Sequence, residues 1–301
     1  MEPPSVTLSA DGLLSSLQQG AWLFTQLVPP LRDSLEHAVA QHGTTVDSGL
    51  PLFLLASLQY RRTALPHQMA MRFTAARNTA IVSRVASLSA VEERAYWEAA
   101  FCTLAPRTVP CAVSDADIEM LEHATQQLDR HVRIAAATPL SRWIEAIAPF
   151  AEGPFRSASH PHYLGCIFLR LNRSPEETAL SLAHELAHQE LFLLNLVDRL
   201  IVAAADYRLV HAPFQGRERP SIGRLHSAHA LFRMVDHENA TADPRRPRHV
   251  DLLQATIDTF QPGDLTALGR RLVYEVYQAQ VDRLRGDRQS RSPFSGDDEN
   301  R

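Results

Sequence analysis

Residues 174–198 read SPEETALSLAHELAHQELFLLNLVD, and this stretch constrains the fold more than any other. Ser174 is a helix N-cap, Pro175 suits the first helical position, and Glu176 and Glu177 complement the positive end of the helix dipole. Past that start the helix is apolar on most sides, through Leu180, Leu182, Ala183, Leu186, Ala187, Phe192, Leu193, Leu194, Leu196 and Val197. Such a helix must be enclosed by the rest of the chain. At 301 residues, 45% of them hydrophobic, the chain is long enough to enclose it.

One narrow stripe interrupts the apolar surface. At about 100° per residue, Glu177, Ser181, His184, His188, Leu191, Asn195 and Arg199 fall within an arc of about 80°, and all but Leu191 are polar. A buried polar stripe has to be satisfied from inside the protein. His184, Glu185 and His188 spell H-E-x-x-H, which places two imidazoles one turn apart on one face, as two ligands of one metal ion require. The surroundings favour that reading over two hydrogen-bonded core histidines.

The third ligand is left open by the motif. Metzincins need a glycine and a histidine where this chain has Leu191 and Leu194, so that family is excluded. Gluzincin-like sites take a glutamate from a following helix, and Glu218 and Glu238 stand in no recognisable partner motif. His226 and His229, three residues apart on a later helix, can each complete a three-histidine site.

Elsewhere the pattern is mostly helical. Apolar spacing predicts helices over about 17–27, 35–40, 75–88 and 91–104, and a Ser114-capped helix to about 129. A short helix LSRWIEAIAPF follows Pro139, and further helices are expected over 221–236, 250–260 and 265–284. YLGCIFLRL, residues 163–171, is the one clear strand. The expected fold is therefore mainly α, or α+β with a small sheet, as a helical single-domain enzyme with the HExxH helix at its centre. Residues 1–10 read as a loose amino terminus, 11–285 as the domain with its active part in about 140–285, and 286–301 as a disordered tail.

Composition excludes several classes. A net charge of −4 gives no reason to expect nucleic acid, and the use of arginine for all 30 basic residues reads as a codon effect of a GC-rich genome. There is neither a signal-peptide core nor an apolar run of about 18 residues, so no membrane partner and a cytoplasmic location are expected. Cys102, Cys111 and Cys166 are odd in number without C-x-x-C spacing, and read as ordinary buried thiols.

The stretch HAPFQGRERPSIGRLHSAHALF, His211 to Phe232, resembles a bacterial HExxH family found beside ribosomally made, post-translationally modified peptides. Members of that family look like α-ketoglutarate- and Fe(II)-dependent peptide β-hydroxylases. The shared pattern is carried by Ala212, Pro213, Phe214, Arg219, Pro220, Gly223 and His226. FQPGDLTALGRRLV, Phe260 to Val273, resembles the family's carboxy-terminal T-x-L-G-R helix, and SPEETALSLAHELAH its entry to the motif; about residues 140–285 are covered. The chain departs from the family at His211, at Arg217 and Glu218, and at Asp198, positions that bear on substrate choice more than on metal binding.

The resemblance implies His184, His188 and His226 as iron ligands, Arg219 as the partner of the distal carboxylate of α-ketoglutarate, and a precursor peptide as substrate. Glu185 then bonds a ligand histidine or the substrate amide. The competing reading is a zinc metallopeptidase in which Glu185 is the catalytic general base, and a third is a non-catalytic helical peptide-binding protein. His160, His162 and His229 are further candidates for the pocket, each with an ordinary structural role as the simpler alternative.

Overall fold

The computed structural model describes residues 9–41, 50–61, 67–76, 79–104, 108–131, 139–171 and 173–290. In chain order these form α1 (Ala10–Gln18), α2 (Phe24–Gln41), α3 (Leu52–Arg61), α4 (His67–Ala76) and α5 (Val91–Leu104), then β1 (Val109–Pro110) and α6 (Asp115–His131). The second half contains β2 (Ala146–Glu152), β3 (Ser157–Ala158), β4 (Cys166–Arg170), α7 (Pro175–Val197), β5 (Val210–Ala212), β6 (Arg217–Arg219), α8 (Ser221–Thr241), α9 (Arg246–Ile257), α10 (Ala267–Arg271) and α11 (Gln278–Ser290). The fold is mainly helical with a small mixed sheet, as the sequence predicts.

The HExxH helix α7 is the central element, packed against α6 and α8, with α9 against α8. Its start is as read from the sequence, with the Ser174 hydroxyl accepting from Glu177 N at 3.2 Å. From Thr178 to Leu194 every residue except His184, His188 and Phe192 is buried. The sheet runs in the order β1-β2-β4-β3, with β2 and β4 parallel and β1 and β3 antiparallel to their neighbours. Gln189 ties α7 to that sheet: its amide oxygen accepts from Gly165 N at 2.5 Å and its amide nitrogen donates to Cys166 O at 3.0 Å. An aromatic cluster of Phe53, Phe73, Trp97, Phe101 and Phe168 joins α3, α4 and α5 to β4.

Several expected boundaries change. LSRWIEAIAPF is not a helix, since Leu140–Trp143 form a 3-10 turn and β2 follows. All of Ala146 to Phe150 are buried, a pattern that a central strand shares with a buried helix, so that only pairing with the distant β4 decides between them. Nor is 75–88 one helix: α4 ends at Ala76, Ile81–Arg84 make a 3-10 turn, and Ala86 N donates to Ile147 O at 2.8 Å beside β2. The stretch 17–27 breaks at Gly20, whose φ of +78° lies in the left-handed region. β5 and β6 form a hairpin where the sequence shows no strand signal.

At the carboxyl end α11 continues to Ser290, into the segment assigned to a tail. Val281 and Leu284 bury this helix in the core, and at its surface Arg283 lies 3.7 Å from Asp236 of α8 and Arg285 lies 3.3 Å from Asp251 of α9. Residues 1–8 and 291–301 of the expected loose ends lie outside the described residues. Cys166 is buried, but Cys111 is half-buried and Cys102 exposed, and all three are free. Among the described residues no helix is long and apolar enough to cross a membrane.

Candidate metal centre

His184 and His188 stand on successive turns of α7 with their Nε2 atoms 3.0 Å apart. Nδ1 of His184 meets Sδ of Met234 on α8 at 3.2 Å. That contact occupies the Nδ1 proton and leaves the Nε2 lone pair turned toward His188. Phe214, in the turn between β5 and β6, lies against the same ring with centroids 6.0 Å apart. Donor atoms of His184, Glu185 and His188 all lie within 4.8 Å of one another.

Glu185 is 1% exposed. Its Oε1 is 4.0 Å from His184 Nε2, and its buried Oε2 makes no direct hydrogen bond among the described residues. Burial pushes its carboxyl up to about 7, with the hydroxyls of Ser157 and Ser159 acting in the opposite sense. The imidazoles are driven the other way. Burial, helped by nearby His249, lowers His184 to about 4, and burial with His229 and His184 lowers His226 to about 3. His188 falls well below the usual range, through burial first and then His184, His226 and His229. All three rings are thus neutral near pH 7, the form that ligates metal.

The packing of α8 on α7 brings His226 beside this cluster, on the far side of the His188 ring, and not into the group of donor atoms that lie within 4.8 Å of one another. Its Nδ1 lies 3.1 Å from Nδ1 of His188, and its ring rests on Phe192 with centroids 4.8 Å apart. It therefore meets the second nitrogen of His188, while the first faces His184. His229, three residues on, does not enter the site: Nδ1 meets the Tyr277 hydroxyl at 2.7 Å and Nε2 meets Glu190 Oε2 at 2.9 Å. His160 and His162 pack on one another ahead of β4, with ring centroids 4.7 Å apart. Arg219 closes β6 opposite Val210, and its buried Nε has no hydrogen-bond partner among the described residues. Among the described residues no carboxylate pairs with its guanidinium, and burial, then Arg217, disfavours its charge.

Two features beside the site were not singled out by motif. Glu190 accepts from Arg233 at 2.8 and 2.9 Å and from Leu23 N at 2.7 Å, all fully buried, and so braces α7 against α8 and the entry to α2. Charged residues inside otherwise apolar helices are the signal that points to it. Glu238, one turn beyond Met234, bonds His249 Nδ1 at 2.6 Å. Phe214 lies between His249 and His184, with centroids 6.3 and 6.0 Å away, and no sequence pattern links these positions. Glu218 is exposed on the hairpin, opposite His211.

The donor set fits a divalent cation. Two neutral imidazole nitrogens face each other, with the buried Glu185 carboxylate beside them. Imidazole with carboxylate suits iron and zinc alike. Neither a comparison with protein-family models nor a search of curated proteins finds a match to the chain.

Proposed function

We propose that the protein is an Fe(II)- and α-ketoglutarate-dependent dioxygenase that hydroxylates the β-carbon of a residue in a ribosomally synthesised precursor peptide, in the cytoplasm. The observation that carries this reading is that R-P-x-x-G-x-x-H, distant in sequence from H-E-x-x-H, packs onto it, with His226 3.1 Å from His188. His184 and His188 would hold the iron through Nε2, with His226 as the third ligand once its ring turns from the His188 Nδ1 that it meets here, and Arg219 would hold the distal carboxylate of the cosubstrate, since a planar guanidinium pairs with it bidentately. Three protein ligands leave positions for a 2-oxo acid and for oxygen, and the pair supplies, when bound, oxidation of an unactivated C–H bond coupled to decarboxylation to succinate. The chain's own residues orient and enclose: Met234 fixes the His184 ring, Phe214 covers it, and Glu185 bonds a ligand histidine or the substrate amide.

One observation favours a second reading, a zinc peptidase. The buried Glu185 carboxyl stands beside His184 and His188, where a base that activates water belongs in such enzymes. Metal analysis of anaerobically purified protein, joined to a succinate assay with candidate peptide, separates the two. Iron with peptide-dependent succinate is expected; tightly held zinc with oxygen-independent amide cleavage overturns the hydroxylase. If neither reaction occurs and His184→Ala leaves peptide binding intact, the protein is a non-catalytic peptide-binding protein.

A further inference from the structure

Toward its amino terminus the polar stripe of α7 reaches a cavity of about 500 Å³ that the metal centre does not use, lined in part by Cys111, Asp117, Arg156, Arg170, Arg173 and Glu177. The two carboxylates are already committed. Asp117 accepts from Ser114 N at 2.9 Å and Ser114 Oγ at 2.6 Å, capping α6, and Glu177 pairs with Arg173 at 3.3 Å. Arg173 also donates to Ser181 Oγ at 2.7 Å. Arg156 and Arg170 have no carboxylate partner among the described residues, yet the backbone holds them together, Arg170 N donating to Arg156 O at 2.9 Å. In a chain of net charge −4, two unmatched guanidinium groups at one cavity are a recognition element for carboxylate groups. Arg170 ends β4 and Arg156 immediately precedes β3, the strand paired antiparallel with it.

We propose that this cavity docks acidic residues of the peptide on which the metal centre acts, an inference that rests on the peptide-substrate reading above. Arg156 and Arg170 are exposed, so their charges lie at the rim, where a chain can cross them, rather than sealed around a small ion. Glu177 and His184 share one face of α7, and a rise of about 1.5 Å per residue puts them roughly 10 Å apart along it. About three residues of extended peptide cover that distance. The carboxylates of a substrate therefore sit at least about three residues from the position that is modified.

Fluorescence anisotropy on the full chain tests this with a labelled Gly/Ser/Ala peptide carrying a central Glu-Glu pair, and with its Gln-Gln counterpart. The acidic peptide should bind about tenfold or more tightly than the neutral one, with a preference that fades as salt rises. Arg156→Glu with Arg170→Glu should abolish the preference without changing the melting temperature or metal content, and Arg170→Gln alone should reduce it. Equal affinity for the two peptides overturns the proposal, as does a charge-reversed variant that binds like the parent. Displacement by inorganic phosphate or free glutarate, joined to no preference for the acidic peptide, makes the cavity a small-anion site and overturns it too. Binding is read without turnover, so a chain that prefers the acidic peptide through these arginines yet forms no succinate counts against the hydroxylase and not against the docking site.

Discussion

His188 turns Nδ1 toward Nδ1 of His226 across 3.1 Å, so one proton has to serve both nitrogens. If Nε2 of His188 is kept for a metal, that proton belongs to His188 and His226 accepts it. If His226 is itself a ligand, its coordinating nitrogen carries none. The ligand set proposed above predicts that His226→Ala loses bound iron as completely as His184→Ala, measured by metal analysis after gel filtration. Iron retained with binding only about 10- to 100-fold weaker would place His226 outside the ligand set, as a residue that orients His188.

Glu185 separates oxidation from hydrolysis. A general base contributes about 10²- to 10⁴-fold to rate, whereas the hydroxylase needs no base at this position. Glu185→Gln keeps the size and one acceptor oxygen, and should lower peptide-dependent succinate formation by less than about tenfold. A loss of about a thousandfold, with metal still bound, would assign Glu185 to the chemistry.

Arg219 has a buried Nε without a partner and no carboxylate beside its guanidinium among the described residues. A dicarboxylate cosubstrate supplies what is missing. Arg219→Lys keeps the charge but not the planar fork, so it should raise the KM for α-ketoglutarate about tenfold or more while the KM for peptide changes little. An unchanged KM for the cosubstrate would remove Arg219 from this role.

The T-x-L-G-R segment, by contrast, has a packing explanation. Thr266 caps α10 by accepting from Gly269 N at 3.1 Å, and a Cβ at Gly269 would come within 2.0 Å of the Leu200 carbonyl oxygen. That neighbour is backbone and cannot swing aside. Gly269→Ala should cost about 1–3 kcal/mol or more, as overpacking does, and denaturant unfolding checks it. A variant as stable as the parent would mean that the α10 junction relaxes freely.

The central helix was legible because its signals are local: the Ser174 cap, the spacing of His184 and His188, and an apolar surface that demands enclosure. α8 was legible for the same reason, although it runs to Thr241 rather than 236. β2 was not, since Ala146 to Phe150 become a strand only through pairing with β4. The site divides in the same way. His184, Glu185 and His188 are fixed by one helix, whereas the side of His188 that His226 meets depends on how α8 rolls on α7, which no spacing within either helix encodes. The Arg156 and Arg170 pair escapes the sequence too, because β3 and β4 must align before these residues become neighbours.

Glu190 provides the acid-stability prediction. Burial alone would raise its carboxyl, but the Arg233 charge and the His229 hydrogen bond outweigh burial and hold it at about 2. An unfolded glutamate titrates near about 4.3. Because the folded value is the lower one, the stabilisation is fully present above the unfolded value and is lost as pH falls from about 4.3 toward 2. A difference of about two pH units corresponds to roughly 3 kcal/mol. Glu190→Gln leaves the buried Arg233 with only Asp236, 3.6 Å away, as a carboxylate partner and should cost up to about 3–5 kcal/mol at neutral pH. It should also flatten the fall of the urea midpoint between about pH 5 and 2.5. If the variant keeps the parent's slope over that range, other carboxylates set the acid limb and the Glu190–Arg233 pair does not.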